Sequence, residues 1–272
     1  MKIHLIAAAR PNFMKIAPLW HKLREHNHLE PVIVHTGQHY DANMSNAFFA
    51  DLRMPKPDIH LGVRGNGHAE TVGRTMIEYE KVCLEDGPGL VVVVGDVNAT
   101  MACSVTAKKL GIPVAHLEAG IRSFDMSMPE EINRKVTDSI VDYFWTPSVD
   151  ANENLVREGI DGARIKLVGN IMIDSLEMLR ADIEAQATYT RYKLEPGSYA
   201  VATFHRPSNV DAPETLEVLV DQLNAVSEKL PVLFPVHPRT KARLKSFGQW
   251  DRLSAGKTIL EEPLGYKDFM NL

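Results

Sequence analysis

The sequence predicts an α/β protein with a mostly parallel, doubly wound sheet, followed by a second unit of the same type. Short apolar segments alternate with amphipathic ones along the chain, which is the pattern of βαβ units. Four consecutive valines, residues 91–94, are typical of a central strand that is buried on both faces. The alternation begins again after Gly169. We therefore predict an N-terminal domain over residues 1–169 and a C-terminal domain over residues 170–272.

The composition excludes several classes of protein. A net charge of −5 argues against a nucleic-acid binder that works through its electrostatic field. No apolar run approaches the ~18 residues of a membrane helix. Cys83 and Cys103 are far apart and favour buried thiols over a disulfide, so we predict a cytoplasmic protein.

The elements of the first domain follow from apolar spacing and turn residues. Phe13, Ile16, Ala17 and Trp20 recur at helical spacing after the turn at Arg10-Pro11. Gly111 marks the end of the helix that follows the valine strand. The predicted elements are strand 2–8, a helix from Pro11, strand 31–36, helix 43–51, a long loop 53–69, helix 71–84, strand 91–94, helix 98–109, strand 112–117, a helix from Pro129 and strand 144–147.

The second domain repeats this pattern over fewer elements. We predict a polar helical stretch over 171–193, strand 199–204, helix 212–229 and strand 231–236. Asp211 and Glu214 have capping-box spacing at the start of the second of these helices. The final GYKDFMNL is typical of a helix start, and two or three strands are few for a self-contained sheet. We therefore expect this domain to be incomplete.

Acidic residues follow the ends of neighbouring strands. Asp96 comes directly after the valine strand and Glu118 after the next strand, so both are predicted at the sheet edge where open α/β folds bind ligands. Glu130 lies at the start of the next helix. Each has an alternative structural role: Asp96 as a turn or helix-cap residue, Glu118 as the partner of Arg122, and Glu130 in a capping box with Ser127. Several carboxylates at one edge indicate proton chemistry.

Cations follow the first strand of both units. Arg10-Pro11 ends the first strand of one unit and Arg206-Pro207 the first strand of the other, an arrangement suited to an anion-binding cleft. The candidates for binding an anionic substrate are Arg10, Lys15, His205, Arg206 and His237. No GxGxxG follows the first strand, and the spacing of His35 and His39 does not predict a metal site. We expect neither a metal nor another cofactor.

Six segments, in the same order, resemble the non-hydrolysing UDP-N-acetylglucosamine 2-epimerase family. They are ARPNFMKIAP at residues 9–18, GDVN at 95–98, HLEAGIRS at 116–123, MPEEINR at 128–134, His205-Arg206, and FPVHP at 234–238. The resemblance implies two Rossmann-like domains in the GT-B arrangement with a UDP-sugar between them. It also implies a homodimer, and a remainder of the nucleotide domain that lies beyond Leu272.

The resemblance implies a reaction as well. UDP leaves while a base removes the proton on carbon 2, and UDP then adds to the glycal with a proton delivered to the opposite face. Asp96, Glu118, Glu130 and His205 would be the catalytic residues. Arg10, Lys15, Arg206 and His237 would bind the substrate. Glu131 is assigned a structural role at its helix N-terminus.

This sequence departs from the family pattern at several positions. Asn12 replaces an acid, Val97 a threonine, and Pro207-Ser208 the residues after His-Arg. Residues 38–41 match only half of a segment that binds an activating UDP-sugar in bacterial members. The open alternatives are a hydrolysing relative that releases N-acetylmannosamine, an epimerase for a diacetamido sugar, a GT-B glycosyltransferase, and a non-catalytic UDP-sugar binder.

Overall fold

A seven-stranded, wholly parallel sheet forms the core of the first unit. The computed structural model describes residues 1–37 and 46–272. The strands are β1 (Lys2–Ala7), β2 (Glu30–His35), β3 (Ile59–His60), β4 (Leu90–Val94), β5 (Val114–Leu117), β6 (Tyr143–Thr146) and β7 (Ile165–Leu167). Their order is β3-β2-β1-β4-β5-β6-β7, so the direction of winding reverses between β1 and β4.

Helices connect these strands and cover the sheet. They are α1 (Arg10–Arg24), α2 (Asn46–Asp51), α3 (His68–Asp86), α4 (Asn98–Lys109), α5 (Pro129–Ile140), α6 (Val149–Arg157) and α7 (Ile171–Glu184). Because the strand order reverses at one point, the connecting helices lie on both faces of the sheet, which makes the fold doubly wound. The valines of β4 are at most 1% exposed, as expected for a central strand.

The sequence predicted most elements of this unit and missed β3, α6 and β7. Strand β1, helix α4 and the glycine that ends α4 are confirmed, with Gly111 at a φ of +74°. The predicted loop 53–69 is wrong in part, because it contains β3. Helix α6 and strand β7 were not predicted. Both β3 and β7 are edge strands of two or three residues, too short to show a period.

The second unit contains a smaller parallel sheet. Its strands β8 (Ala200–Val201), β9 (Val232–Pro235) and β10 (Ile259–Glu261) stand in the order β10-β9-β8. The helices are α8 (Pro207–Val210), α9 (Pro213–Ser227), α10 (Pro238–Ser246), α11 (Trp250–Ser254) and α12 (Tyr266–Asn271). Leu216 and Val220 of α9 pack with Phe234 of β9 in its core.

Three predictions for this part of the chain are corrected. The helix predicted over 171–193 ends at Glu184 as α7, and Thr188–Tyr192 form a separate 3₁₀ helix. The strand predicted over 199–204 is confined to β8. The capping box of Asp211 and Glu214 is wrong, because α9 is preceded by Ala212 and the Asp211 carboxylate instead accepts hydrogen bonds from Arg239 and Arg243. The predicted helix at 265–272 is present as α12.

The two compact units are Met1–Met178 and Leu179–Leu272. This division falls within α7, whereas the boundary predicted at residues 169 and 170 lies just before that helix. Among the helices of the described ranges, none has the length and apolar character to cross a membrane.

Candidate functional site

The candidate site of the first unit lies where the strand order reverses. Arg10 follows β1 and begins α1, Asp96 follows β4, and Glu118 follows β5. All three therefore stand at the carboxyl edge of neighbouring parallel strands, the edge at which ligands bind in open α/β sheets.

Asp96 is fixed through both its side chain and its backbone. Its carboxylate accepts a hydrogen bond from Arg134 at 2.5 Å, and its carbonyl accepts one from the Asn133 amide at 2.8 Å. The alternative role as a helix cap is not observed, because the residue at the N-cap of α4 is Val97. The Asp96 side chain remains about one-third exposed, at 32%. The contact with Arg134 thus orients the Asp96 carboxylate, and solvent or a ligand can still reach it.

Glu118 occupies a strained backbone position. Its φ of +71° lies in the left-handed region, which costs a residue with a side chain of the order of 1 kcal/mol. The Glu118 N–H donates to the Trp145 carbonyl at 2.9 Å, and its carboxylate accepts from the Lys15 ammonium at 2.5 Å. The predicted alternative pairing of Glu118 with Arg122 is wrong.

The ends of β4 and β5 converge. A Cβ atom placed on Gly95 would lie 3.3 Å from the Lys15 ammonium and 3.6 Å from the Glu118 carboxylate. The Lys15–Glu118 pair therefore sits against the residue that precedes Asp96. Lys15, which we predicted as a substrate-binding residue, is in this structure the partner of Glu118.

Glu130 lies in the first turn of α5 and is exposed. The capping box with Ser127 is wrong, since the N-cap position is Met128 and the Ser127 hydroxyl donates to Asp125 at 2.6 Å. The Glu130 carboxylate is therefore not committed to capping its own helix.

Glu131 has the structural role that the sequence indicated, but it acts on a loop rather than on its own helix. Its buried carboxylate accepts the N–H groups of Ser123 and Phe124 at 3.0 and 3.1 Å, and the Arg134 guanidinium at 2.8 Å. Burial alone would raise the pKa of Glu131, but these donors outweigh it and lower the pKa to about 2. Asp96 is thereby linked to the loop after β5 through Arg134 and Glu131.

Replacing Glu131 with glutamine is expected to change the acid stability of the protein. Because the folded pKa is depressed from 4.5 to about 2, the ionised carboxylate stabilises the fold above pH 4.5, and this contribution is lost as the pH falls toward 2. The contribution is at most about 3 kcal/mol. Urea unfolding at several pH values should show a smaller acid-dependent loss for Glu131→Gln. The exposed neighbour Glu130→Gln is the control, and an equal effect of both substitutions would contradict this role for Glu131.

Sequence reasoning missed the polar face of α5. Glu131, Arg134 and Asp138 are spaced at i, i+3 and i+7 and so share one face of the helix. Their partners lie on other elements: Arg134 reaches Asp96, while Asp138 contacts His116 and Arg122. The spacing was visible in the sequence, but the partners depend on long-range packing.

A buried charge network lies beneath the site. The ring of His116, on β5, contacts Asp138 at 2.6 Å and the Gly95 carbonyl at 2.8 Å. The second Asp138 oxygen accepts from the Gly120 N–H at 3.0 Å and from Arg122 at 2.8 Å. Arg122 also makes a two-pronged ion pair with Glu158. These contacts join the turn that carries Asp96 to the turn that carries Glu118.

The predicted residues of the second unit lie at the carboxyl edge of its own sheet. The rings of His205 and His237 have centroids 5.8 Å apart. His237 caps α10, its ring accepting the Arg239 N–H at 3.2 Å. Partial burial, together with the charges of His205 and Arg239, lowers the pKa of His237. Arg206 precedes α8, as the residue at its N-cap. Two neighbouring imidazoles, with Arg206 next to one of them in the chain, thus follow the strand ends of this unit.

Residues 38–41, which include His39 and match half of a family segment, lie outside the described residues. Over the described ranges, no group of three or more His, Cys, Asp or Glu side chains is arranged to hold a metal ion.

Comparisons with known proteins identify the family. The family model described as UDP-N-acetylglucosamine 2-epimerase matches residues 21–272. The UDP-N-acetylglucosamine 2-epimerase of Methanocaldococcus jannaschii is 40% identical over 100% of this chain and 76% of its own length. The UDP-2,3-diacetamido-2,3-dideoxy-D-glucuronate 2-epimerase of Pseudomonas aeruginosa is 41% identical over 99% of this chain and 75% of its own.

Structural similarity covers the same extent. A crystal structure of the M. jannaschii UDP-GlcNAc 2-epimerase in complex with UDP-GlcNAc and UDP superposes with a TM-score of 0.84 at 39% identity, covering 99% of this chain and 75% of that one. This similarity confirms the predicted fold class.

Proposed function

Because this chain belongs to the UDP-N-acetylglucosamine 2-epimerase family, we propose that it interconverts UDP-N-acetylglucosamine and UDP-N-acetylmannosamine. An epimerase is an isomerase, so the family assigns this chain to the isomerases. The observation that most supports the proposal is the convergence of Asp96 and Glu118 at the point where the strand order reverses, each carboxylate with its own cationic partner.

The chemistry requires groups that can accept and deliver a proton on opposite faces of carbon 2. Asp96 is paired with Arg134, a cation that does not lose its proton in proteins, so this contact favours an acceptor at Asp96. Glu118 is paired instead with the Lys15 ammonium, at 2.5 Å. The exposed Glu130 is a third candidate for proton transfer. The two strand-end carboxylates thus differ in their environments, as two opposite proton-transfer roles demand.

Departure of UDP requires stabilisation of the negative charge on the leaving diphosphate. In the first unit the candidate for this role is Arg10, at the start of α1. In the second unit the candidates are His205, Arg206 and His237, which follow strand ends of its own sheet. Arginine and helix N-termini are suited to binding phosphate oxygens.

Sequence identity hardly distinguishes the two candidate sugars. The relatives named for N-acetylglucosamine and for the diacetamido uronate are 40% and 41% identical to this chain. We place UDP-N-acetylglucosamine first because the family model is described by that sugar. A diacetamido sugar is the second candidate.

The test is to incubate the protein with UDP-N-acetylglucosamine and to follow the sugar signals by NMR. Accumulation of UDP-N-acetylmannosamine to an equilibrium mixture is the expected result. Free N-acetylmannosamine as the end product would indicate the hydrolysing reaction. Turnover of the diacetamido uronate alone would assign the second candidate, and a reaction only with an added acceptor would indicate a glycosyltransferase. Samples without protein correct for spontaneous hydrolysis.

We also propose a cytoplasmic homodimer that supplies UDP-N-acetylmannosamine for surface polysaccharide. Cys83 and Cys103 are unpaired and buried, which suits a reducing compartment. Light scattering on the purified protein would test the dimer directly, since a single mass of 30.4 kDa would exclude it.

A further inference from the structure

His116 is a fully buried histidine, two residues before Glu118 in the chain. Both of its ring nitrogens have close partners. Nε2 lies 2.8 Å from the Gly95 carbonyl oxygen, and Nδ1 lies 2.6 Å from an Asp138 carboxylate oxygen. The ring therefore bridges the end of β4 and helix α5.

The partners determine how many protons the ring carries. A carbonyl oxygen can only accept a hydrogen bond, so Nε2 must donate and carry a proton. The other oxygen of Asp138 accepts from the Gly120 N–H and the Arg122 guanidinium. The Arg122 guanidinium, which does not lose its proton in proteins, lies 2.8 Å from that oxygen and favours an ionised Asp138. An ionised Asp138 is also only an acceptor, so Nδ1 must donate as well.

We infer that His116 is held as an imidazolium, with a proton on each ring nitrogen, and that it is a positioning residue for Asp96 and Glu118. Its positive charge and that of Arg122 are balanced by Asp138 and Glu158, and Lys135 contacts Glu158 from the helix surface. The part of the inference that concerns turnover rests on the proposed function. The part that concerns the charge of His116 does not.

The positioning role follows from what the ring joins. One nitrogen holds the carbonyl of Gly95, the residue before Asp96. The other holds Asp138, which fixes the Gly120 N–H, two residues after Glu118. Glu118 has a φ of +71°, in the left-handed region that is costly for a residue with a side chain, so its turn depends on the surrounding contacts. A neutral ring would face one acceptor with a lone pair, which would loosen one of the two turns.

The first test reads the charge directly in the wild-type protein. Nitrogen-15 NMR of histidine-labelled protein should show both ring nitrogens of His116 protonated throughout the neutral pH range. His116→Phe identifies the signals by their loss. A ring with one unprotonated nitrogen at neutral pH would overturn the inference, whatever the protein does with a sugar nucleotide.

The second test separates positioning from folding. His116→Gln and Asp138→Asn should each lower kcat for epimerisation on the order of 10- to 100-fold. UDP affinity, measured by calorimetry, should stay within about twofold because neither side chain faces the surface. In Asp138→Asn, His116 should also lose one of its two protons. Unchanged kcat in both variants would overturn the positioning role. If neither variant folds, the test is made on the wild type with UDP bound, by measuring how fast the two His116 N–H protons exchange with solvent. Exchange as fast as that of a surface histidine would overturn the positioning role. Lack of any epimerase activity in the wild type would remove the proposed function and leave the charge of His116 intact.

Discussion

Asp96→Asn is expected to lower the rate of carbon-2 epimerisation about 1000-fold and to leave UDP affinity nearly unchanged. An amide has almost the shape of the carboxylate and can still accept the hydrogen bond from Arg134, so the turn after β4 should be retained. It cannot take up a proton as a base does, and general acid–base catalysis contributes about 10²- to 10⁴-fold. The measurement combines initial rates by NMR with UDP binding by calorimetry.

Asp150→Asn is a suitable control for this substitution, because Asp150 is an exposed acid in the first turn of α6, outside the candidate site. It should retain wild-type turnover. If Asp96→Asn turns over as fast as this control, Asp96 has no role in proton transfer.

Gly120→Ala is expected to be the most destabilising single-methyl change in the turn that carries Glu118. Gly120 has a φ of +78°, and an added Cβ would lie 2.3 Å from the Ala151 carbonyl oxygen and 3.0 Å from Leu155. The oxygen belongs to the backbone of α6 and cannot move without shifting that helix. We expect a loss of about 3 kcal/mol or more in the free energy of unfolding. Turnover of the folded fraction should also fall, since the Gly120 N–H holds Asp138.

Gly111→Ala separates the clash from the backbone conformation. Gly111 has a similar φ of +74°, but an added Cβ there would have no atom within 4 Å. This control should cost only about 1 kcal/mol, the penalty of a left-handed conformation. Urea unfolding of both variants gives the comparison. Equal losses in the free energy of unfolding would mean that the close approach of α6 to Gly120 does not make the alanine substitution more destabilising.

The sequence was sufficient for features that depend on local pattern. The valine strand, the helix from Asn98 to Lys109, and the positions of Asp96 and Glu118 at strand ends all follow from periods and turn residues. The resemblance to the epimerase family, carried by six short motifs, is confirmed by the family model.

The partners of these residues could not be predicted in the same way. Lys15 and Glu118 are 103 residues apart in the chain, and Arg134 and Asp96 are 38 apart. Both pairs form only because parallel strands bring their carboxyl ends to one edge. The capping box of Asp211 was wrong for the same reason, since its carboxylate accepts a hydrogen bond from Arg239, 28 residues away. The capping box of Ser127 was wrong for a local reason, since its hydroxyl donates to Asp125, two residues before it.

The most direct test of the central claim is hydrogen exchange at carbon 2. Wild-type protein in deuterated water with UDP-N-acetylglucosamine should place deuterium at carbon 2 of both epimers, because the carboxylate that we propose as the base would exchange the abstracted proton with solvent. Conversion of the sugar with its carbon-2 hydrogen fully retained would contradict the account.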